Sequence, residues 1–196
     1  MKLYLAPGAC SLADHIALHE AGLSFDRVTV DLRTRRTDDG GDYAQVNPKG
    51  YVPALVMDDG QTLTENVAIL DWIAHRHPRL APQGELGHTR LLEMLAFISS
   101  EIHKQFGRSF FPTSDAERDA AFEKIDGRLA YLAGRLKGDY LFGNEFSVAD
   151  AYLYVMLRWA RMKGRTLPGP LADYAARIEA RPAVKLALQH EGLDKP

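Results

Sequence analysis

Apolar and polar positions follow two different patterns along the chain. In the first part, Lys2 to Ala6 is short and apolar, and Phe25 to Asp31 alternates between two faces, as strands do. Helical spacing covers Ser11 to Glu20 and Glu65 to Arg76. Asp58-Asp59-Gly60 is typical of a hairpin turn between two further strands. The first part is therefore predicted to be a βαβ–ββα unit.

The rest of the chain has helical spacing and no strand alternation. The predicted helices are Thr89 to Phe106, Ala116 to Leu136, Val148 to Met162, and shorter ones around Tyr174 to Ala180 and Val184 to His190. Residues 78–87 between the two parts are rich in proline and glycine, which favours a linker. The sequence thus predicts an α/β domain over residues 1–77, a linker over 78–87 and an all-α domain over 88–196.

Composition and charge exclude several classes of protein. The 196 residues are 46% hydrophobic and 26% charged, which is enough apolar material for a packed core. A formal net charge of -2 gives no reason to expect nucleic acid as a partner. The single cysteine, Cys10, excludes an intramolecular disulfide, and no apolar run approaches the roughly 20 residues that span a bilayer. We expect a soluble protein of the reducing cytoplasm that binds neither nucleic acid nor membrane.

The segment around Cys10 is the first candidate for chemistry. Ser11 and Asp14 have the spacing of a capping box, which would place Cys10 immediately before a helix N-terminus. Free N–H groups and the positive end of the helix dipole stabilise a nearby thiolate. Cys10 is then either a reactive thiol, a place where the thiolate of another molecule binds, or a small buried core residue. A two-thiol redox switch is excluded because no second cysteine follows.

Two further segments favour a peptide-like ligand. Pro53 opens an apparent strand, and a cis bond before it would expose a strand edge to the backbone of a ligand, although a trans turn is the commoner outcome. Glu65 and Asn66 begin a predicted helix, where Glu65 would hold an ammonium group and the helix end a carboxylate. The alternative is that Glu65 only complements the helix dipole. With Cys10, these features suit a small peptide with a central thiol, which is glutathione.

The chain resembles a bacterial beta-class glutathione S-transferase over essentially its whole length. The N-terminal segments that carry the resemblance are Met1-Lys2-Leu3-Tyr4, Pro7-Gly8-Ala9-Cys10-Ser11-Leu12-Ala13, Val46-Asn47-Pro48-Lys49-Gly50, Val52-Pro53-Ala54-Leu55 and Leu63-Thr64-Glu65. The C-terminal ones are Phe97-Ile98-Ser99-Ser100-Glu101-Ile102-His103-Lys104 and Phe146-Ser147-Val148-Ala149-Asp150-Ala151-Tyr152. The resemblance implies a thioredoxin-like N-terminal domain, a helical C-terminal domain, a homodimer, a cis bond before Pro53 and glutathione as co-substrate.

The same resemblance implies roles for individual residues. His103 would lie beside the glutathione sulfur, Glu101 would reach the γ-glutamyl ammonium of glutathione in the other subunit, and Arg35 would lie near the glycyl carboxylate. The predicted catalytic residues are Cys10, Ser11 and His103. The predicted glutathione-binding residues are Arg35, Tyr51, Val52, Pro53, Glu65, Asn66, Glu101 and Lys104. Three residues depart from those common in relatives. Asn66 stands where relatives often have Ser or Gly, Tyr51 where Gln is common, and Ala96 where several relatives have Asn.

The predicted function is conjugation of the glutathione thiolate to small hydrophobic electrophiles. Lowering a thiol pKa by about 2 units raises its thiolate fraction about 25-fold at pH 7, so a second pocket that holds the electrophile is also needed. The candidates for that pocket are Phe106, Phe110, Phe111 and Tyr152 to Trp159. Two alternatives remain: a thiol-disulfide reductase that forms a mixed disulfide at Cys10, and a binding protein without turnover.

Two other patterns are interpreted without catalysis. Ser147-Val148-Ala149-Asp150 is a capping-box-like start to an apolar helix, which is a folding signal. His15 and His19 have the i, i+4 spacing of zinc ligands, but no HExxH pattern or third ligand lies near them in the sequence, so we expect no metal site. His190 is expected to be a solvated helix-end residue.

Overall fold

A computed structural model describes residues 1–194 of the chain. The strands are β1 (Lys2–Leu5), β2 (Asp26–Asp31), β3 (Arg36–Thr37), β4 (Ala54–Val56) and β5 (Thr62–Thr64). The helices are α1 (Leu12–Ala21), α2 (Asn66–Arg76), α3 (Gly87–Phe97), α4 (Lys104–Phe110), α5 (Asp115–Arg135), α6 (Val148–Met162), α7 (Gly169–Glu179) and α8 (Pro182–His190). The predicted C-terminal domain extends to residue 196, and its last two residues lie outside the described part.

The structure differs from the predicted elements in two places. No strand is predicted between Asp31 and the hairpin, but Arg36–Thr37 form β3, which pairs antiparallel to β2. The predicted helix from Thr89 to Phe106 is interrupted by a π-helical segment, Ile98–His103, between α3 and α4. Residues at i and i+5 pair in a π-helix, and apolar spacing does not reveal that change because the buried face continues through Ile98 and Ile102.

The N-terminal sheet brings two of the predicted site segments together. Its strand order is β3-β2-β1-β4-β5, in which β1 pairs parallel to β2 and antiparallel to β4. Tyr4 at the end of β1 lies opposite Ala54 at the start of β4. The chain that leaves β1 toward Cys10 therefore passes beside the chain that enters β4 through Pro53.

One apolar core runs through both halves of the molecule. Nearly every residue of α1 is buried, because this helix packs against α2 on one side and against α6 and α8 on the other. Several polar contacts also join the halves; among them, the Trp159 Nε1–H donates to the Gly8 carbonyl at 2.8 Å, and Arg181 forms an ion pair with Glu20. The loop that carries Cys10 is thus anchored to the helical half.

The start of α6 confirms the capping-box prediction. The Ser147 N–H donates to Asp150 Oδ2 at 2.7 Å, and the Ser147 hydroxyl donates to the same oxygen at 2.6 Å. Asp150 also accepts from the Tyr174 hydroxyl at 2.7 Å. Since Asp150 is fully buried, these bonds replace the water that its carboxylate loses on folding.

Among the described residues, no helix is both long enough and apolar enough to span a membrane.

Candidate active site

A cavity of about 220 Å³ opens where the start of α1, the start of α2 and the π-helical segment meet. Its lining residues are Cys10, Tyr51, Val52, Pro53, Glu65, Asn66, Val67, Ser99, His103 and Tyr152. Most of the predicted site residues therefore come together in one place. A larger open groove of about 870 Å³ lies elsewhere, beside Met1 and Trp72, and contains none of them.

Cys10 lies at the cavity as a protonated thiol. Its Sγ donates to the Val52 carbonyl at 3.5 Å. Burial, assisted by the nearby Asp14, raises the pKa of Cys10 from 9.0 to about 12. Of the alternatives left open for Cys10, its raised pKa disfavours a stabilised thiolate of Cys10 itself, because loss of solvent outweighs the backbone N–H groups.

The capping box predicted from Ser11 and Asp14 is not formed. Ser11 has helical backbone angles and its hydroxyl contacts Ala6 instead, accepting from the Ala6 N–H at 3.2 Å. Asp14 is buried, and burial raises its pKa well above the ordinary value. Ser11 is fully buried and does not line the cavity, so its hydroxyl acts inside the fold.

Asn66 lines the cavity and also forms two hydrogen bonds within the fold. Its side-chain Nδ2 donates to the Cys10 carbonyl at 2.8 Å and to Asp14 Oδ2 at 2.9 Å. It therefore fastens the start of α2 to the segment of Cys10. The backbone N–H groups in the first turn of α2 have no partner within the helix and remain the donors available at the cavity.

Glu65 is held by two exposed side chains. Lys49 forms an ion pair with Glu65, and the Tyr51 hydroxyl donates to Glu65 Oε1 at 2.8 Å. The bond from Lys49 is the main reason that the pKa of Glu65 is lowered. Glu65 also has a φ of 74°, an unusual value for a residue other than glycine that is often found at binding sites. Lys49 was not in the predicted set, and only its position opposite Glu65 reveals it.

The peptide bond between Val52 and Pro53 is cis, as the family resemblance implies. The carbonyl of Tyr51 accepts from the Asn47 Nδ2 at 2.7 Å and from the Tyr43 hydroxyl at 3.0 Å. These two bonds hold the segment that leads into Pro53, and they account for the polar residues at the end of the preceding loop.

His103 faces Cys10 from the helical half of the molecule. Its Nδ1 lies 2.6 Å from the Tyr152 hydroxyl, and its ring packs edge-on against Trp159 at a centroid distance of 5.1 Å. Burial lowers the pKa of His103 from 6.5 to about 4, so the ring is neutral at pH 7. Burial also raises the pKa of Tyr152, which keeps its hydroxyl protonated as a donor. Nδ1 is then the acceptor, and Nε2 carries the proton.

Three of the predicted glutathione-binding residues do not line this cavity. Glu101 is paired with Arg128 at 2.8 Å, and Lys104 is exposed at the start of α4. The Arg35 guanidinium lies against Gly50, where a Cβ would come within 3.0 Å of its Cζ. Arg35 is thus placed near the outer edge of the segment that carries Tyr51.

The aromatic candidates for a second pocket differ in how far their side chains are exposed. Phe106 is fully buried in the core, whereas Phe111 is 85% exposed. Phe110 and Trp159 lie between these extremes, packed edge-on at a centroid distance of 5.1 Å, with Lys163 over the Phe110 ring. Phe110, Trp159 and His103 form one aromatic cluster, in which Trp159 packs against both other rings, and the buried Phe106 packs against Trp159.

Comparison with known proteins matches both halves of the chain. The profile of the glutathione S-transferase N-terminal domain matches residues 9–76, and that of the C-terminal domain matches residues 91–185. A relative, glutathione S-transferase GstA of Escherichia coli O157:H7, is 42% identical over 98% of this chain and 100% of its own. The chain belongs to the glutathione S-transferase family.

Solved structures of transferases share the whole fold. A sphingomonad glutathione S-transferase complexed with glutathione is 51% identical, with a TM-score of 0.92 over 98% of this chain and 100% of that one. A beta-class transferase of Sphingomonas chungbukensis is 48% identical, with the same TM-score and coverage. The predictions of a beta-class resemblance, of the thioredoxin-like and all-α fold, and of a glutathione transferase are confirmed.

The histidine prediction needs one correction. His190 at the end of α8 lies beside His15 and His19, with one ring nitrogen of each within 4.8 Å of the others. The statement that no third potential ligand lies near this pair is therefore wrong, because His190 is far from them in sequence and close only in the fold.

Proposed function

We propose that this transferase joins the thiolate of glutathione to small hydrophobic electrophiles, with the reacting sulfur held between Cys10 and His103. The observation that carries the proposal is the neutral His103 whose Nδ1 meets the Tyr152 hydroxyl at the cavity wall. This arrangement leaves an Nε2–H donor for a sulfur anion. A protonated imidazolium is not required.

The peptide part of glutathione fits the polar groups around the cavity. The carboxylate of Glu65 suits the γ-glutamyl ammonium, and the first turn of α2 suits the γ-glutamyl carboxylate. The backbone at Val52 suits the cysteinyl amide of glutathione. Arg35 and Lys49 supply positive charge beyond that segment, toward the glycyl carboxylate.

The chemistry needs the glutathione thiol to lose its proton to solvent before it attacks. The start of α1 and the Nε2–H of His103 favour the resulting anion. With an aryl chloride, the sulfur then forms an S–C bond while the C–Cl bond breaks and chloride leaves with the electron pair. Because the pKa of His103 is about 4, the residue acts as a hydrogen-bond donor to sulfur and would be a weak base.

The state of Cys10 favours conjugation over the reductase alternative. A thiol whose pKa is about 12 is almost wholly protonated at neutral pH, and the thiolate is the form that attacks a disulfide. Cys10 instead offers an S–H group near the sulfur of the bound substrate. Phe110, Trp159 and Phe111 supply the apolar surface for the electrophile.

The homodimer is part of the same proposal. Glu101 lies outside the cavity of its own chain, on the surface with Arg128, which suits contact with glutathione bound by a second copy. Light scattering on the purified protein would give twice the mass of one chain, and a monomer would contradict this part. Cytoplasmic location is proposed with it, in keeping with the single free cysteine.

Kinetics of three variants test the function. Cys10→Ala should keep conjugation of 1-chloro-2,4-dinitrobenzene within about tenfold of the wild type, since the cysteine is not the nucleophile. His103→Ala should lose about 100-fold in kcat at a similar KM for glutathione, as expected when a donor to a developing anion is removed. The exposed His88→Ala is the matched control and should be unchanged. Loss of conjugation in Cys10→Ala, together with glutathione-dependent disulfide reduction by the wild type, would support the reductase instead.

A further inference from the structure

Three histidines form a cluster on the side of α1 that faces α8. His15 and His19 lie one turn apart on α1, and His190 ends α8. Their ring centroids are 4.9, 5.6 and 5.3 Å apart. The rings run from buried at His15, through half-buried at His19, to exposed at His190, so the cluster reaches the solvent on one side.

These separations suit a shared metal ion. Imidazole nitrogens bind Zn²⁺ at roughly 2.0–2.1 Å, so a tetrahedral site spaces them by about 3.4 Å and places the ring centroids about 5.2 Å apart. The observed centroid distances bracket that value. The ligand nitrogens lie within 4.8 Å of one another, so the widest pair needs to close by at most about 1.4 Å to reach that spacing.

Hydrogen bonding leaves the ring nitrogens ready to ligate. Glu191 Oε1 lies 2.8 Å from Nδ1 of His15, so this carboxylate favours the tautomer in which Nδ1–H donates to it and Nε2 keeps a free electron pair. A carboxylate behind a histidine ligand is the usual second shell of zinc sites. Within residues 1–194, the buried Nε2 atoms of His15 and His19 have no hydrogen-bond partner, which is costly for polar atoms.

One aromatic ring and two charged side chains lie around the histidine cluster. Phe25 packs against His15 and His19 at centroid distances of 5.7 and 5.0 Å and shields that side from water. Arg27 donates to the His190 carbonyl and opposes a cation, whereas the carboxylate of Glu191 favours one.

We propose that His15, His19 and His190 bind a divalent transition metal of the Zn²⁺ class, with water in the fourth position on the exposed side. Three imidazoles with an open position suit Zn²⁺, Co²⁺, Ni²⁺ and Cu²⁺, and they do not suit Mg²⁺ or Ca²⁺, which prefer oxygen ligands.

A metal bound at this site would stabilise the fold, and the site lies apart from the cavity that is proposed to bind glutathione. Glu191 Oε2 accepts from the Gly8 N–H at 2.8 Å, so the carboxylate that contacts His15 also holds the loop that precedes Cys10. A bound metal would therefore fasten the end of α8 to α1 and, through Glu191, to that loop. Its role is structural, because none of the three histidines lines the cavity.

The test uses the full chain without a polyhistidine tag, stripped with a chelator and free of glutathione, which binds metals itself. Zn²⁺ is titrated in competition with a chromophoric chelator, and Co²⁺ is followed by its visible absorption, which distinguishes tetrahedral coordination. His19→Ala and His190→Ala remove ligands on the accessible side. Glu191→Gln removes the carboxylate that contacts His15 Nδ1, and His88→Ala and Cys10→Ala are controls. Circular dichroism establishes that each variant is folded.

We expect one Zn²⁺ per chain and a tetrahedral Co²⁺ spectrum. Each ligand variant should weaken binding at least tenfold, Glu191→Gln should weaken it about tenfold, and the two controls should bind as the wild type does. Zn²⁺ should also raise the melting temperature of the wild type and leave that of His190→Ala unchanged. The proposal is overturned if the wild type binds no stoichiometric metal, if His19→Ala and His190→Ala bind as tightly as the wild type, or if a control abolishes binding.

Discussion

The Tyr152 hydroxyl lies 2.6 Å from Nδ1 of His103, and in the proposed function its donated hydrogen bond leaves Nε2–H as the donor to the glutathione sulfur. Neither residue's role is visible from its neighbours in sequence, because the two lie 49 positions apart. The contact joins α6 to the π-helical segment. The proposed role of His103 therefore depends on a single oxygen atom of another helix.

Tyr152→Phe removes that oxygen and keeps the ring. We expect kcat for conjugation to fall about tenfold, which corresponds to about 1.4 kcal/mol for a lost hydrogen bond, with the KM for glutathione within twofold. Steady-state kinetics measure both. Tyr154→Phe on the same helix is the matched control, since its hydroxyl contacts Glu179 away from the cavity. Equal kcat in Tyr152→Phe and the wild type would show that the tautomer is set in another way.

Titration of His103 should appear in the stability of the fold. Its pKa is lowered from 6.5 to about 4 in the folded state, so the folded protein prefers the neutral ring. Above pH 6.5 the ring is neutral in both states, and the free energy of unfolding is unaffected by its titration. As the pH falls from 6.5 toward 4, the unfolded state binds a proton that the folded state does not, so the free energy of unfolding decreases by up to about 3 kcal/mol. Urea unfolding at pH 7, 5.5 and 4.5 should give a shallower decline for His103→Gln than for the wild type. Parallel declines would contradict the assignment.

At the scale of elements, the start of each helix decides where side chains point. Ser147 and Ser114 are both N-caps in extended conformation, but Ser147 is buried with Asp150 whereas Ser114 is exposed. The comparison separates the value of a buried cap from that of an exposed one. It also tests whether α6, which carries Tyr152 and Trp159, depends on its first turn.

Ser147→Ala should lower the free energy of unfolding by about 2 kcal/mol and Ser114→Ala by about 0.5–1 kcal/mol. The larger loss is expected because the Ser147 hydroxyl donates to a buried carboxylate. Chemical denaturation of the two variants beside the wild type measures the difference. Similar losses at both sites would mean that burial adds nothing to the cap.

At the scale of the whole molecule, the two halves are joined by a shared core and by the pair of Glu20 and Arg181. The pair is well shielded, since the side chain of Glu20 is 7% exposed and that of Arg181 27%. Arg181 also donates to the Tyr140 hydroxyl at 2.7 Å. Removing Glu20 would therefore leave a cation without its partner inside the interface.

Glu20→Ala should destabilise the protein by about 3 kcal/mol, because breaking a largely buried pair leaves an unpaired charge. Asp126→Ala is the control, since it breaks a half-exposed pair with Arg165 that is worth less than about 1 kcal/mol. Thermal and urea unfolding of both variants give the comparison. Equal small losses would show that Arg181 finds solvent once Glu20 is gone.

The sequence by itself determined the elements, the order of the two halves and most residues of the cavity. Periodicity reports local backbone geometry, so the helix from Val148 to Met162 was predicted as it stands. Motifs around Cys10, Val52-Pro53 and Glu65 identified three segments that the sheet then brings together. These features depend on residues a few positions apart along the chain, so a local sequence pattern is enough to predict them.

Only the tertiary structure decided the protonation states and the long-range contacts. The position of Cys10 before a helix left open whether it is a reactive thiol or a buried residue, and burial, which raises its pKa, is a property of the packed fold. The contact of Asn66 with the Cys10 carbonyl likewise joins residues 56 positions apart. His15 meets Glu191 across 176 positions, and His190 arrives with it. Solvent exclusion and contacts between distant segments arise when the chain packs, so no local pattern contains them.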